Sequence, residues 1–418
     1  MTQSNQAKTP FEEWIAAHAN DSNITDNAKD ILVKLADKGL PTRRTETYKY
    51  TDLKALLKKA PKTINPLIDV ASLEQIIAGN AVQEATQIIV ANGNLIQANE
   101  AKGIVVSTRA PSALPNLPEG TETDTALLLA SSLASQEISL NINSDAANAE
   151  KPIEIILIGS GDDALITNKL AIEVSGDQSP EIIMTYLTSA NPTIFSFVEC
   201  HAKSGEVSII KRQKQGAQSA HFETFVMSQT SDATLKVNQL NLGAHTVRNG
   251  LYSCFNGEAT AHLDLSGVTI ANEKAHIDTT LVVDHAVANC TSEERFKNAI
   301  GGQAKSVFQG KIIVQPDAQK TDARMMCQSL LLSEDASVDV KPELEIFADD
   351  VQCGHGATIG EMDEDLLFYL KSRGLPEKDA KRMLILAFLS ENLEELEEGI
   401  VKSTLQQDID DYLNIIIA

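Results

Sequence analysis

The sequence predicts a mainly β protein whose strand-rich core carries α-helical domains at both ends. From about Ile153 to Val351 apolar residues recur with period two, as a half-buried strand requires: Leu235 with Val237, Leu263 with Leu265, Ile312 with Val314, Val338 with Val340, Leu344 with Ile346. Before and after that stretch the period becomes helical, with capping residues at the starts and glycine or proline at the ends. Tight-hairpin signals in the β region are few, Asn249-Gly250 and Asn256-Gly257. So many short strands admit a sandwich, a barrel or a solenoid. Recurring apolar pairs with few hairpins lean toward a β-helix, but no strict hexapeptide repeat supports it, and periodicity alone leaves the choice open.

Along the chain, Thr9, Pro10 and Glu12 place a cap, a proline at the first helical position and a carboxylate at N3; Phe11, Trp14, Ile15 and His18 follow at helical spacing. A second helix carries Ala28, Ile31, Leu32 and Leu35 on one face and stops at Gly39 and Pro41. Residues 42–57 are rich in charge and tyrosine, and Pro61 and Pro66 mark a boundary. Within the β region only a polar segment around Ser292 to Lys297 reads as a short helix. After Gly360, Asp363 caps a helix through Leu366, Leu367, Tyr369 and Leu370 to Gly374, and Pro376 starts another. The last helix is amphipathic through Val401, Leu405, Ile409, Tyr412, Leu413 and Ile416. Glu391, Glu394, Glu395, Glu397 and Glu398 lie between these two helices, and such a tail is either a docking module or a small bundle packed on itself.

Composition narrows the function classes. The 418 residues exceed one ordinary core, so two or three regions are expected. With 35 Lys and Arg against 58 Asp and Glu the formal charge is −23, which repels phosphate backbones and argues against nucleic acid, while a basic protein or a metal cation stays compatible. No signal peptide is read in the polar start, and no apolar run is long enough to span a bilayer. Five scattered cysteines, Cys200, Cys254, Cys290, Cys327 and Cys353, form no CxxC pair and read as free thiols of a cytoplasmic, reduced protein.

Several motifs are decoys. Gly159-Ser160-Gly161 through Ala164 imitates a dinucleotide fingerprint, but Leu165 to Val174 reads as a strand where a helix N-terminus is needed, so a hairpin turn is expected. No phosphate-binding GxxxxGK[ST] loop occurs, and Gly310-Lys311 runs into a strand pattern, so any ATP dependence must come from another subunit. No GxSxG elbow occurs, and Asp349-Asp350 suits turn chemistry better than acid–base catalysis. The sharpest local feature is Cys353-Gly354-His355-Gly356. An extended CxH points thiol and imidazole to one face, where both can meet a metal ion or sulfide, or can simply pack. Two donors are too few for a closed zinc or iron–sulfur site, so other ligands would come from elsewhere. His245, His262, His276 and His285, with Cys254 and Cys290, show no ligand spacing and read as separate hydrogen-bonded residues.

Longer stretches carry a resemblance. They include His276-Ile277-Asp278-Thr279, Asp284-His285, Cys290-Thr291-Ser292, Ser306 to Ile312, Ala318 to Ala323 and Leu330 to Ser333. The densest run is Lys341 to Ile346, Ala348 to Val351, Cys353 to Thr358 and Tyr369 to Gly374; near the start Gly39-Leu40-Pro41-Thr42-Arg43 and Tyr48-Lys49-Tyr50-Thr51 follow the same pattern, with Tyr48 where tryptophan is common. Together these resemble the SufD family, non-ATPase scaffold subunits of the SUF iron–sulfur cluster assembly machine; the related SufB branch usually has a glutamate-bearing motif at 353–356. Residues 60–220 match only loosely. The resemblance implies a right-handed parallel β-helix core (66–359) between N-terminal (1–65) and C-terminal (360–418) helical domains, the latter docking an ATPase. It implies pairing with SufB through the β-helix, docking of the ATPase SufC on the C-terminal helices, and no catalysis by the chain itself. It makes His355 a ligand candidate for a nascent, transient iron–sulfur cluster at the SufB interface, with Cys353 as a nearby interfacial thiol. A flavin in such complexes is associated with SufB, and homodimerisation of the isolated chain is left open. The competing reading is a stand-alone β-helical enzyme, metal-dependent or carbohydrate-active.

Overall fold

The computed structural model describes residues 7–21, 24–114, 121, 124–145, 151–230, 232–255, 260–394 and 396–417. Its centre is a parallel β-solenoid of about seven turns. Successive strands alternate between two sheets, each sheet collecting every second strand, so that one turn contributes one strand to each. From Thr193–Ala202 onward every strand is ten residues long, from Glu206–Gln215 to the last two, Ser337–Ile346 in the first sheet and Gln352–Glu361 in the second. Pairing within both sheets is parallel there and in register over nearly full strand lengths. The opposite end is closed by antiparallel pairs, Thr86–Ala91 with Asn94–Ala98 and Ile104–Arg109 with Glu137–Asn143.

Side chains alternate across each strand, so every second residue enters the space between the sheets. There Leu235, Val237, Leu263, Leu265, Leu281, Val283, Ile312 and Val314 join one buried core. Helices cover the outer faces as well. Pro10–His18, Asp26–Lys38 and Thr125–Leu133 pack on the first sheet through Phe195, Phe197, Phe222 and Tyr252. Glu377–Glu394 and Ile400–Ile416 pack on the second through Ile210, Leu240, Val268 and Ile270.

The helix ends follow the local chemistry. Thr9 accepts from Glu12 N while Glu12 closes the capping box, Gly39 ends the second helix at φ 76°, and Asp363 caps Glu364–Ser372. Buried charge then ties both helical ends to the sheets. Arg212 of the second sheet holds Asp408 of the last helix, with Nη2 to Oδ1 at 2.9 Å, and Lys214 joins the same carboxylate at 2.7 Å. On the first sheet Arg248 donates to Asp278 at 2.9 Å and to the Thr47 carbonyl at 2.9 Å, under the Tyr48 ring. Thr51 bonds Asp278 and lies 2.8 Å from His276, Lys305 faces the Tyr50 ring, and Lys341 pairs with Glu46 at 2.9 Å.

Three sequence expectations are corrected. Asn249-Gly250 lies inside the strand Thr246–Phe255, where a Cβ on Gly250 would sit 2.8 Å from the Tyr252 ring, so packing and not turning selects the glycine. Residues 292–297 belong to the strand Thr291–Ile300, because Ser292 and Glu294 face the interior and stand in apolar places. The segment from Gly159 to Ala164 turns the chain between Ile153–Ser160 and Ala164–Ser175, which lie in different sheets and do not form a hairpin; Gly161 (φ 124°) and Asp163 (φ 52°) supply the corner. Asn256-Gly257 and Glu395 lie outside the described residues. Among the described residues no helix is long and apolar enough to cross a membrane.

Candidate functional site at the open end of the solenoid

The last rung is uncapped. Ser337–Ile346 and Gln352–Glu361 are terminal in their sheets, and most residues of the second strand are exposed. Asp350 shapes the corner before it, accepting from the Lys320 backbone at 2.7 Å through its carbonyl and pairing with the Lys320 side chain through its carboxylate.

Register fixes where the CxH residues point. Cys353 lies beside Ala323 and His355 beside Met325, and both neighbours belong to the interior core. Cys353 and His355 therefore share the inward face of the final strand. Cys353 is half-buried against that core, across from Val340 and Leu344 of the other terminal strand. His355 has no further rung above it, so an inward direction leaves it exposed, and among the described residues its ring meets no partner. Burial, with Asp322 and Glu294 nearby, raises the Cys353 thiol pKa above its ordinary value.

The glycines between and after them face outward. Nothing lies within 4 Å of a Cβ placed on Gly354, whereas one on Gly356 would meet Met326 Cε at 2.6 Å. A groove of about 560 Å³ opens at this end, lined by Cys353, His355, Glu294, Arg324, Met326 and Glu391. A neighbouring strand supplies a residue that sequence reasoning missed. Glu294 lies beside Met325, two strands below His355, 0 % exposed, with the Ser292 hydroxyl beside its carboxyl. Burial raises its pKa to about 8, Ser292 offsetting only part of that. Ser292 lies 2.9 Å from His285, whose own pKa burial lowers to about 3.

The other candidates stay apart. His276 meets Thr51, His262 lies 2.7 Å from Thr291, His245 lies 3.0 Å from Thr246, and the His285 ring packs on Phe255. Cys290 is buried and Cys254 half-buried, neither in a disulfide. Among the described residues no three His, Cys, Asp or Glu side chains gather as a metal set. Cys353 and His355 can thus offer one soft and one borderline donor, fewer than the four that an iron–sulfur cluster takes.

The fold and this end define a class: an open-ended, two-sheet parallel β-solenoid with a thiol and an imidazole facing inward on its terminal rung. Comparison with known proteins gives the class its family. Residues 157–388 match the SufBD core domain of SUF system FeS cluster assembly. The chain is 29% identical over 400 residues to the iron–sulfur cluster assembly protein SufD of Escherichia coli (strain K12), covering 93% of each. It is 27% identical to a SufBD family protein of Synechocystis, over 95% of this chain and 92% of that one, and 32% identical to a SufBD family protein of Mycobacterium leprae over 44% and 49%. The chain belongs to the SufBD family of the SUF iron–sulfur cluster assembly system.

Proposed function

We propose that this chain is a SufD-type scaffold subunit that builds and transfers nascent iron–sulfur clusters only in company. In this reading the terminal rung pairs with the β-helix of a SufB-type paralogue, and the C-terminal helices dock the SufC ATPase, which supplies all ATP hydrolysis. The complex works in the cytoplasm, and the cluster is cargo held at the shared interface, with His355 as a ligand and Cys353 as the thiol beside it. The observation that carries this is the unfinished last rung with both donors facing inward. Unpaired strand edges are usually blunted in proteins that stay alone, and strand addition is the direct way to complete them. Ile346, Phe347 and Ile359 at this end, and Leu366, Phe368 and Tyr369 on the following helix, are large exposed apolar residues, which a docking surface explains.

Co-purification from cell extract tests the partners: an ABC-type ATPase and a larger paralogue should accompany the tagged chain. His355→Ala should leave that complex intact and lower its iron and sulfide content, because an exposed, unpartnered ring contributes little to folding. Iron and sulfide unchanged per complex would remove His355 from the site. Robust turnover by the purified lone chain would overturn the scaffold reading itself.

A further inference from the structure

A second, larger cleft, about 1880 Å³, opens between the helices Pro10–His18 and Asp26–Lys38, the segment 39–58 and residues near Leu114 and Thr125. Its walls carry Lys8, Lys34, Lys38, Arg43, Arg44 and Lys58, all exposed and without ion-pair partners among the described residues. The acidic groups present are largely committed. Glu12 accepts from Thr9 N at 2.7 Å and Leu40 N at 2.9 Å and pairs with Lys54 at 3.0 Å, and Asp52 caps Ala55 N at 2.9 Å. Among the described residues Asp37 is left against six cations, in a chain whose formal charge is −23. A charge inversion this local focuses anions into the cleft while the rest of the surface repels them.

The cleft also has an apolar lining, with Ile31, Leu114 and Leu128 partly buried beside Leu35 and Leu40. Pockets for small molecules hold roughly 300–1,000 Å³ and use a few converging polar groups. This one is larger, and its cations are exposed and spread along its walls, which suits carboxylates spread along a peptide better than one phosphate. The segment 39–51 divides its labour accordingly. Tyr48 and Thr51 are buried against the first sheet, whereas the Arg43 and Arg44 side chains make no hydrogen bond among the described residues and face the cleft.

We propose that this cleft receives an acidic, leucine-bearing segment of another protein, at a docking site separate from the terminal rung. The test uses the full chain and a labelled peptide of about 15 alternating Glu and Leu residues, a length that spans such a groove. Fluorescence anisotropy should show binding that weakens as salt rises from about 50 to about 300 mM. It should fall about tenfold in Arg43→Glu/Arg44→Glu, the order expected for reversing charges that face an acidic ligand. Lys34→Glu/Lys38→Glu, on the facing helix, should do the same, and unchanged melting of either variant shows that it is folded. Inorganic triphosphate at equal concentration should not displace the peptide. Absence of peptide binding at the lower salt, equal binding by both folded double variants, or displacement by triphosphate would each overturn the proposal, the last by revealing a small-anion site.

Discussion

A carboxyl group buried inside a solenoid with little hydrogen bonding either keeps its proton or costs stability, and Glu294 shows which applies at each pH. Its folded pKa is raised to about 8 from an ordinary value of 4.5. The native state therefore binds more protons than the unfolded chain between these values, so stability is greatest below about 4.5 and falls as pH rises through 8. Glu294→Gln should remove this dependence: the variant should gain on the wild type between pH 5 and pH 8.5, by up to a few kcal/mol, in urea unfolding at each pH. An advantage independent of pH would show that Glu294 is already ionised in the folded protein. Cys353 and His355 were legible because two chemically distinctive side chains two apart on a strand must share a face. Glu294 was not. Glu293, Arg295 and Lys297 around it give the segment the look of a solvated helix, and only register with Leu265 and Met325 reveals that it points inward.

Among the elements, the helices at the two ends of the chain were readable, since their starts are set by local bonds such as Thr9 to Glu12 and Asp363 to Leu366, whereas Val70–Ile77 and Thr125–Leu133 were not read. The strands were harder. Ala220–Gln229 is buried at nine successive positions because helices cover the outer face of its sheet, and a strand buried on both faces loses its clean alternation. The ion pairs beneath the helices span 196 residues in the case of Arg212 and Asp408 and leave no trace in local spacing. Asp408→Ala would leave the Arg212 guanidinium, whose side chain is 3% exposed, without its carboxylate and, among the described residues, with the Asn80 carbonyl as its remaining hydrogen-bond acceptor. Breaking a buried pair by removing one partner costs about 3–5 kcal/mol. Urea unfolding should register that loss, and hydrogen exchange should rise first in Ile400–Ile416; a loss below about 1 kcal/mol would mean that water replaces the carboxylate.

For the whole molecule, a solenoid could be favoured from the sequence but not separated from a sandwich, because the turns are unequal. The register steps 26 residues from Ala220 to Thr246 and 32 residues from Lys305 to Ser337, so unequal corners blur any fixed repeat. The open end is likewise a property of the assembled sheets. Its role can be separated from folding, since charged residues at exposed apolar positions change stability by only about 0.5 kcal/mol. If the proposed pairing with a SufB-type paralogue uses this end, Phe347→Lys/Ile359→Lys should melt with the wild type yet recover less of that partner on co-purification. Equal recovery would move the pairing surface away from this end.

The six residues Glu46 to Thr51 touch four neighbouring strands of the first sheet through Arg248, Asp278, Lys305 and Lys341. They work as a gauge laid across the stack. Strands sit about 4.8 Å apart, so one turn added or lost between Thr246 and Ile346 would carry at least one anchor a full strand spacing out of reach. Most solenoids can gain or shed repeats because each turn knows only its neighbours. Here the count of turns is read by a segment outside them, and so is the span from the helical start of the chain to its unfinished end.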